Sequence, residues 1–201
     1  MINESYDVCL FNAEVHEKMI ERLSKFGFRG AYFLIRFTDK SGFDKSLGAF
    51  KGFKTGDFDS KPCALIETDK PGNIQKICQQ VYGRVDIIVV RGLNEEVFRK
   101  ASETKGIGMI TGFIDRENKL LADYVTINFC RENSIIVNFG FSEILQRENF
   151  GRAHFVKELF EAAKIARKRK APVTVSSLAA NHWELRGFSL IKSYERILKF
   201  I

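Results

Sequence analysis

The fold is decided by the stretch Pro172-Val173-Thr174-Val175-Ser176-Ser177-Leu178, a continuous apolar strand that follows a helix ending in Arg167-Lys168-Arg169-Lys170. The strand lacks the apolar and polar alternation of a sheet with one wet face, which indicates that both of its faces are covered. The same order, a helical segment and then an unbroken apolar strand, recurs along the chain. This recurrence predicts parallel strands joined by helices.

Seven runs have the composition of a buried strand. They span residues 6–11, 31–37, 63–68, 86–90, 107–114, 135–141 and 173–178. This number of strand and helix units fits a closed barrel better than an open doubly wound sheet, although 201 residues are few for a fold that typically has about 250. We therefore predict an α/β fold, a TIM-like (β/α) barrel of about seven parallel strands in a single domain over residues 1–201. An eighth strand is expected to be missing or very short.

Apolar residues at helical spacing fill most of the gaps between these runs. The spacing predicts helices after Asn12, after Pro71, around 97–101, around 120–125, over 155–170 and after Trp183.

Residues 38–61 do not fit the pattern, because they interleave phenylalanines with glycines and lysines. The phenylalanines are Phe43, Phe50, Phe53 and Phe58. Basic residues among aromatic residues can bind single-stranded nucleic acid. The interpretation that we favour is an irregular connection whose phenylalanine rings plug the barrel.

Composition restricts the class of protein and its surroundings. A hydrophobic content of 45% allows one large core. A net charge of +7 with a pI near 9.2 favours a polyanionic partner. A basic enzyme, or the surface of an ordinary archaeal or thermophile protein, has the same charge balance. Residues 1–7 do not read as an export signal, and no apolar run is long enough to span a bilayer. The four cysteines are widely spaced in apolar segments, so we expect a cytoplasmic protein without a membrane partner.

Functional side chains of such a barrel are expected at the carboxyl ends of the strands. The candidates at these positions and in the last loop are Arg36, Lys70, Arg91, Arg116, Ser176, Ser177, His182 and Arg186, with Asn181 beside them. Guanidinium groups and hydroxyls contact phosphate oxygens, and arginine can do so with two hydrogen bonds. The set therefore predicts an anion-binding face. For each arginine taken singly, a solvated or ion-paired role is favoured, and only their common face balances that alternative. The run from Arg167 to Lys170 is expected at the opposite side of the barrel. The helix dipole accounts for it without a ligand, although a second anionic contact there stays open.

Catalytic motifs are weak in this sequence. His16, His154 and His182 do not converge with carboxylates as the ligands of a hydrolytic metal site would. Glu67 and Asp69 share a strand face and could act as acid and base, but a structural or solvated role is favoured. The glycines at 106, 108 and 112 have the wrong spacing for a dinucleotide-binding turn. We expect no catalytic residue, no metal site and no cofactor in the protein itself.

Several segments resemble the archaeal ribonuclease P protein component 3 family, whose eukaryotic relative is the thirty-kilodalton subunit. They are Tyr6-Asp7-Val8, Asp86-Ile87-Ile88-Val89-Val90-Arg91-Gly92, Arg131-Glu132-Asn133 before 135–139, 173–179 and Glu184-Leu185-Arg186-Gly187. They cover almost the whole chain in the expected order. One departure is Phe188-Ser189 after Gly187, where the family often has proline.

The resemblance implies a TIM-like barrel related to the polymerase and histidinol phosphatase (PHP) superfamily, with the metal ligands lost. It also implies a subunit of an archaeal ribonucleoprotein endonuclease that removes the 5′ leader from precursor tRNA, with the chemistry carried by the RNA subunit and its magnesium. The implied partners are ribonuclease P RNA, precursor tRNA and a second small protein subunit. Arg91 and Arg186 are implied as RNA contacts.

Two other functions stay open at this point. A metal-dependent phosphoesterase of the PHP type predicts bound metal and turnover of a phosphomonoester by the protein alone. A phosphosugar isomerase would need a glutamate base facing an electrophile, and the sequence offers no such pair.

Overall fold

The computed structural model describes residues 5–200 apart from residues 54, 116 and 118, and in this part of the chain parallel strands alternate with helices. The strands are β1 (Tyr6–Leu10), β2 (Gly30–Arg36), β3 (Asp59–Glu67), β4 (Ile87–Arg91), β5 (Met109–Thr111), β6 (Ile136–Gly140) and β7 (Val173–Ser176). The helices are α1 (His16–Lys25), α2 (Lys40–Gly52), α3 (Pro71–Val81), α4 (Glu95–Glu103), α5 (Tyr124–Glu132), α6 (Ser142–Leu145), α7 (Asn149–Lys168) and α8 (Phe188–Phe200).

The seven strands form one sheet in chain order, and every neighbouring pair is parallel. The gap between β1 and β7 is bridged just beyond β7, where the Leu178 N–H donates to the Val8 carbonyl and the Leu10 N–H donates to the Ala179 carbonyl, both at 2.8 Å. Leu178 adopts a φ of 46°, which turns the chain towards β1. This short bridge takes the place of an eighth strand, which was expected to be missing or very short. The nearly closed TIM-like barrel confirms the predicted fold class.

Two apolar layers explain why the strands read as unbroken apolar runs. Successive strand residues point to opposite faces, so one residue of a pair lies inside the barrel and the next lies under a helix. The interior layer consists of Val8, Tyr32, Leu34, Cys63, Leu65, Val89, Met109 and Leu178. The larger outer layer joins the strands to the helices and includes Cys9, Phe33, Ile35 and Ala64.

Several boundaries differ from the predicted ones for local reasons. β3 begins at Asp59, four residues before the apolar run, because it pairs with β2 from Gly30 onwards. Only the middle of the run 107–114 pairs as β5. The helix predicted around 120–125 begins later, because the Asp123 carboxylate accepts the Thr126 N–H at 2.7 Å and caps α5.

The interpretation of residues 38–61 as an irregular connection was wrong, because α2 occupies most of the segment. Phe43 and Phe50 are buried on the inner face of α2, and Phe58 is buried just before β3. All three pack in the outer layer, so they do not plug the barrel. Their burial also removes these rings from any stacking on nucleotide bases.

Helix α2 depends on its amino-terminal cap. The Asp39 carboxylate accepts the Gly42 N–H at 2.8 Å. Asp39→Ala should therefore lower the free energy of unfolding by about 1 kcal/mol, whereas Asp39→Asn, which retains a capping oxygen, should change it by a few tenths. Urea unfolding of both variants measures the difference. Equal losses in the two variants would show that the cap is not what the carboxylate contributes.

Candidate nucleic-acid interface at the carboxyl-terminal mouth

A cavity of about 810 Å³ opens where the strands end, and we call it the carboxyl-terminal mouth. Its charged lining consists of Arg36, Glu67, Asp69, Arg91, Asp115, Glu117 and Arg147. Arg36, Glu67 and Arg91 are the last residues of β2, β3 and β4. Glu67 pairs with Arg91, whereas Arg36 pairs with Leu65, two residues before Glu67 on the same face of β3. Parallel pairing therefore brings them together, as the sequence predicted for Arg36 and Arg91.

Arginines and glutamates at this mouth are paired with one another. Glu67 accepts from Arg36 Nε at 2.5 Å and from Arg91 Nη1 at 3.4 Å. Arg91 Nη2 also donates to Glu143 Oε1 at 3.1 Å. Arg91 thus joins two carboxylates from different elements, and its positive charge is already balanced within the protein.

Glu143 is the most buried acid of this group. Burial raises its pKa above the ordinary value of a glutamate, and the charges of Arg91 and Arg147 partly oppose that effect. The pKa of Arg147 is lowered, chiefly by its own burial. Arg147 also donates to the Asp115 carbonyl at 3.2 Å and lies over the Phe155 ring at 4.2 Å, so it supports the wall of the mouth.

Sequence reasoning did not find Glu143 and Arg147. They lie in and just after α6, a helix of four residues that gives no periodic signal. Their spacing in the sequence could have indicated them. A glutamate and an arginine four residues apart, directly after a strand, are placed to face the same mouth.

Three other candidates lie between β7 and α8, away from this cavity. Ser176 donates to Asn138 Oδ1 at 3.0 Å inside the barrel, and it is buried. The buried Ser177 donates its N–H to Asp7 Oδ1 at 2.7 Å, and its hydroxyl accepts the Arg186 N–H at 3.1 Å. Both serines therefore hold the end of β7 in place.

The Arg186 guanidinium is used locally. Its Nη1 donates to the carbonyls of Trp183, Glu184 and Leu185, and the group lies over the Phe141 ring at 5.2 Å. These contacts fix the course of the loop before α8.

Two further candidates, His182 and Lys70, lie in loops at the same end of the barrel. The ring of His182 packs on Trp183 at a centroid distance of 4.6 Å. Lys70 is exposed just before α3, and Arg116 lies outside the described residues. The structure therefore gathers Arg36 and Arg91 in one cavity, and the other candidates among the described residues do not line it. A contact of any of the eight with RNA stays a prediction.

The loops that leave the carboxyl ends of the strands, counted with α6, carry more acids than cations. The acids are Glu14, Asp39, Asp69, Asp115, Glu117, Asp123, Glu143, Glu148 and Glu184, and the cations are Lys70, Arg116, Lys119, Arg147 and Arg186. This balance is opposite to that of the whole chain, whose net charge is +7. A polyanion is attracted to this end less than the composition suggests.

The described residues offer neither a metal-binding cluster nor a membrane-spanning helix. No three His, Cys, Asp or Glu side chains among them are grouped as a metal ion would require. His16 is buried against the rings of Phe11 and Phe33, and burial lowers its pKa to about 4. In the same part of the chain, no helix combines the length and apolar character needed to cross a bilayer. The four cysteines are free and buried.

Fold and site together define a (β/α) barrel with sequential parallel strands and a mouth of arginine and glutamate pairs. The sequence profile of the RNase P subunit p30 family matches residues 5–198, and the chain belongs to that family.

Individual relatives agree with this assignment. The chain is similar to ribonuclease P protein component 3 of Archaeoglobus fulgidus, with 26% identity over 67% of this chain and 65% of the relative, so that alignment spans just under two thirds of the relative's length. It is also similar to ribonuclease P protein component 3 of Methanococcus maripaludis, with 23% identity over 94% of this chain and 82% of the relative. A chain in a cryo-EM structure of archaeal ribonuclease P with mature tRNA has the same fold, with a TM-score of 0.78 and 16% identity over 96% of this chain and 82% of that chain.

Proposed function

We propose that this chain is a protein subunit of ribonuclease P that contacts the RNA subunit and supports removal of the 5′ leader from precursor tRNA. The observation that carries the proposal is the family match over nearly the whole described chain. The net charge of +7 supports an RNA partner, since lysines and arginines that neutralise phosphates release counterions. The chemistry belongs to the RNA subunit with magnesium, and the protein supplies charge and shape in a cytoplasmic ribonucleoprotein.

A second small protein subunit is part of the same proposal. Phe150 and Trp183 are large side chains that are 92% and 71% exposed, and exposed aromatic residues are typical of protein interfaces. Co-purification of the chain with the other archaeal ribonuclease P proteins, one at a time, identifies the partner.

Reconstitution tests the proposed function directly. Ribonuclease P RNA is assembled with the remaining protein subunits, with and without this chain, and cleavage of precursor tRNA is measured under single-turnover conditions. Addition of the chain should raise the rate by about tenfold or more, a factor that corresponds to ~1.4 kcal/mol of activation free energy. The chain without RNA should not cleave. A rate that is the same with and without the chain would contradict the proposal.

A metal-dependent phosphoesterase is not favoured as the second candidate. The carboxylates best placed to bind a metal at the carboxyl-terminal mouth, Glu67 and Glu143, are already paired with Arg36 and Arg91. A divalent ion would have to displace a guanidinium and sit beside its charge. Metal analysis of the purified protein, together with an assay on a phosphomonoester, separates this function from the proposed one.

A further inference from the structure

A second cavity opens at the other end of the barrel, where the strands begin. It has a volume of about 410 Å³, and we call it the amino-terminal mouth. Among its lining residues are Tyr32, Lys61, Tyr82, Asp86, Gly106 and Ser134. None of the seven sequence candidates that the structure describes lines this cavity.

Three of the five tyrosines of the chain are at this mouth. The Tyr6 and Tyr32 rings pack at a centroid distance of 5.5 Å, and the ammonium group of Lys61 lies 5.9 Å from the Tyr6 ring centre. Tyr82 is different, because it is 73% exposed. An aromatic ring in water with cations beside it has the composition of a platform for nucleotide bases.

The ring of Tyr82 stands between two adjoining cavities. One is the amino-terminal mouth, and the other, of about 560 Å³, is lined by Lys100, Lys105 and Gly106 among others. Gly106 has a φ of 91°, and a Cβ built there would lie 3.9 Å from the Tyr82 ring. The turn at Gly106 therefore lies beside one edge of the ring without covering it, and most of the ring surface stays open.

The loops at this end carry the opposite charge balance to those at the carboxyl-terminal mouth. The loops that enter β2, β3, β4, β5 and β7 contain the cations Arg29, Arg84, Lys105, Arg169 and Lys170 among their described residues, against the acids Asp57 and Asp86. Cations in last helical turns are explained by the helix dipole. Arg29 and Lys105 lie beyond those turns, so the dipole does not account for them.

The cationic run before β7 adjoins the wall of the amino-terminal mouth. The Val137 N–H donates to the Pro172 carbonyl at 2.8 Å, next to Ile136, which lines the cavity. Lys168 and Lys170, just before Pro172, are exposed. A strand of phosphates that crosses the mouth can therefore continue along this run.

Asp59 and Asp86 lie at this mouth, and Glu103, which pairs with Arg99 at 3.1 Å, lines the adjoining cavity. The Asp59 carboxylate accepts the Tyr6 hydroxyl and pairs with Lys61 at 3.6 Å, so it is already satisfied. Asp86 is exposed on the lining. Its carboxylate repels a phosphate but accepts hydrogen bonds from the amino groups of bases, which favours a base over a phosphate at that position.

We propose that the amino-terminal mouth binds an unpaired segment of RNA, with a base stacked on Tyr82 and the flanking phosphates held by Lys105 and Lys170. The proposal rests on the proposed function for the presence of RNA, and it adds a binding surface at the end of the barrel opposite to the predicted one. Stacking on an open ring tolerates any base, so the site selects single-stranded RNA and not a particular sequence.

Binding of a labelled single-stranded RNA of about 12 nucleotides to the full chain, measured by fluorescence anisotropy over a salt series, tests the proposal. Tyr82→Ala should weaken binding about tenfold, and Tyr82→Phe, which retains the ring, should bind within about twofold of the wild type. A duplex of the same sequence should compete poorly.

Charge-matched pairs of variants test which end of the barrel holds the phosphates. Lys105→Gln with Lys170→Gln removes one cation of the adjoining cavity and one of the run before β7, both at the amino-terminal end of the barrel. Lys18→Gln with Lys40→Gln removes two exposed cations at the other end. Loss of two phosphate contacts to a single strand should reduce the slope of log K against log salt by about 1.4 for the first pair only. Thermal unfolding checks that all variants are folded.

The outcomes separate this proposal from the proposed function. If the wild type binds and stimulates cleavage while Tyr82→Ala binds as well as the wild type, or while the two lysine pairs change the salt slope equally, the proposal is overturned and the proposed function stands. If the wild type neither binds RNA nor stimulates cleavage in the reconstituted enzyme, both are overturned. A selective loss in Tyr82→Ala and in the first lysine pair supports both.

Discussion

Arg91→Ala should lower the free energy of unfolding by about 3 kcal/mol at neutral pH, because it leaves Glu143 buried without its closest cation. Arg91 Nη2 lies 3.1 Å from Glu143 Oε1, and Glu143 is 9% exposed. Glu67 is less affected, since it keeps Arg36 at 2.5 Å. Urea unfolding measures the loss, and a slope equal to that of the wild type shows that the two transitions can be compared directly.

The loss in Arg91→Ala should depend on pH in a defined direction. Burial already raises the pKa of Glu143, and removal of Arg91 takes away a charge that lowers it. The folded variant therefore binds a proton at pH values where the unfolded chain has released it, so its stability falls as pH rises above the ordinary pKa of a glutamate. We expect a larger loss at pH 8 than at pH 5.

The double variant Arg91→Ala with Glu143→Gln is the control. It buries no unpaired charge, so its stability should recover at pH 8 and lose the added pH dependence. An equal loss at both pH values, or a double variant no more stable than the single one, would mean that Arg91 stabilises the barrel by packing and not by neutralising Glu143.

Asp7→Ala should lower the free energy of unfolding by about 2 to 4 kcal/mol, because it leaves two buried donors without a partner. Asp7 Oδ1 accepts the Val8 N–H at 2.8 Å and the Ser177 N–H at 2.7 Å, which ties β1 to the residue after β7. Asp7→Asn keeps an acceptor oxygen for both bonds and serves as the matched variant.

The contribution of Asp7 to stability depends on pH, and burial of its carboxyl group sets the direction of that dependence. Burial raises the pKa of Asp7 to about 6 from 3.8, so the folded state holds the proton longer than the unfolded state does. The contribution of Asp7 to stability is complete below pH 4 and falls by about 3 kcal/mol as pH rises to about 6. Asp7→Asn should lack that fall. Parallel profiles of stability against pH for the wild type and Asp7→Asn would show that the carboxyl group does not titrate in this range.

The barrel could be predicted from the sequence because each strand is covered on both faces. Runs such as 31–37 and 135–141 are unbroken because alternate residues enter the interior layer and the layer under the helices. The closure between Val8 and Leu178 could not be predicted, since it depends on one residue with a positive φ and not on a run of apolar residues.

The candidate site was predicted in part. The proximity of Arg36 and Arg91 could be predicted, because the carboxyl ends of parallel strands lie at the same edge of the sheet. Their glutamate partners could not be assigned, since Glu143 comes from a helix of one turn. Helix α2 was missed because glycines lower helix propensity, and the burial of Phe43 and Phe50 outweighs that cost. Tyr82 could not be predicted as a functional residue, because side chains with a function are expected at the carboxyl ends of the strands of such a barrel.

The consecutive order of β1 to β7 has a consequence for synthesis on the ribosome. Each strand pairs with the strand translated just before it, so the sheet can grow in the order in which the chain emerges. β1 keeps an unpaired edge until residues 178 and 179 have left the exit tunnel and reached Val8 and Leu10. A nascent chain that stalls before Pro172 therefore carries open strand edges, which are surfaces that can pair with other chains, and the pairing of residues 178 and 179 with β1 removes them.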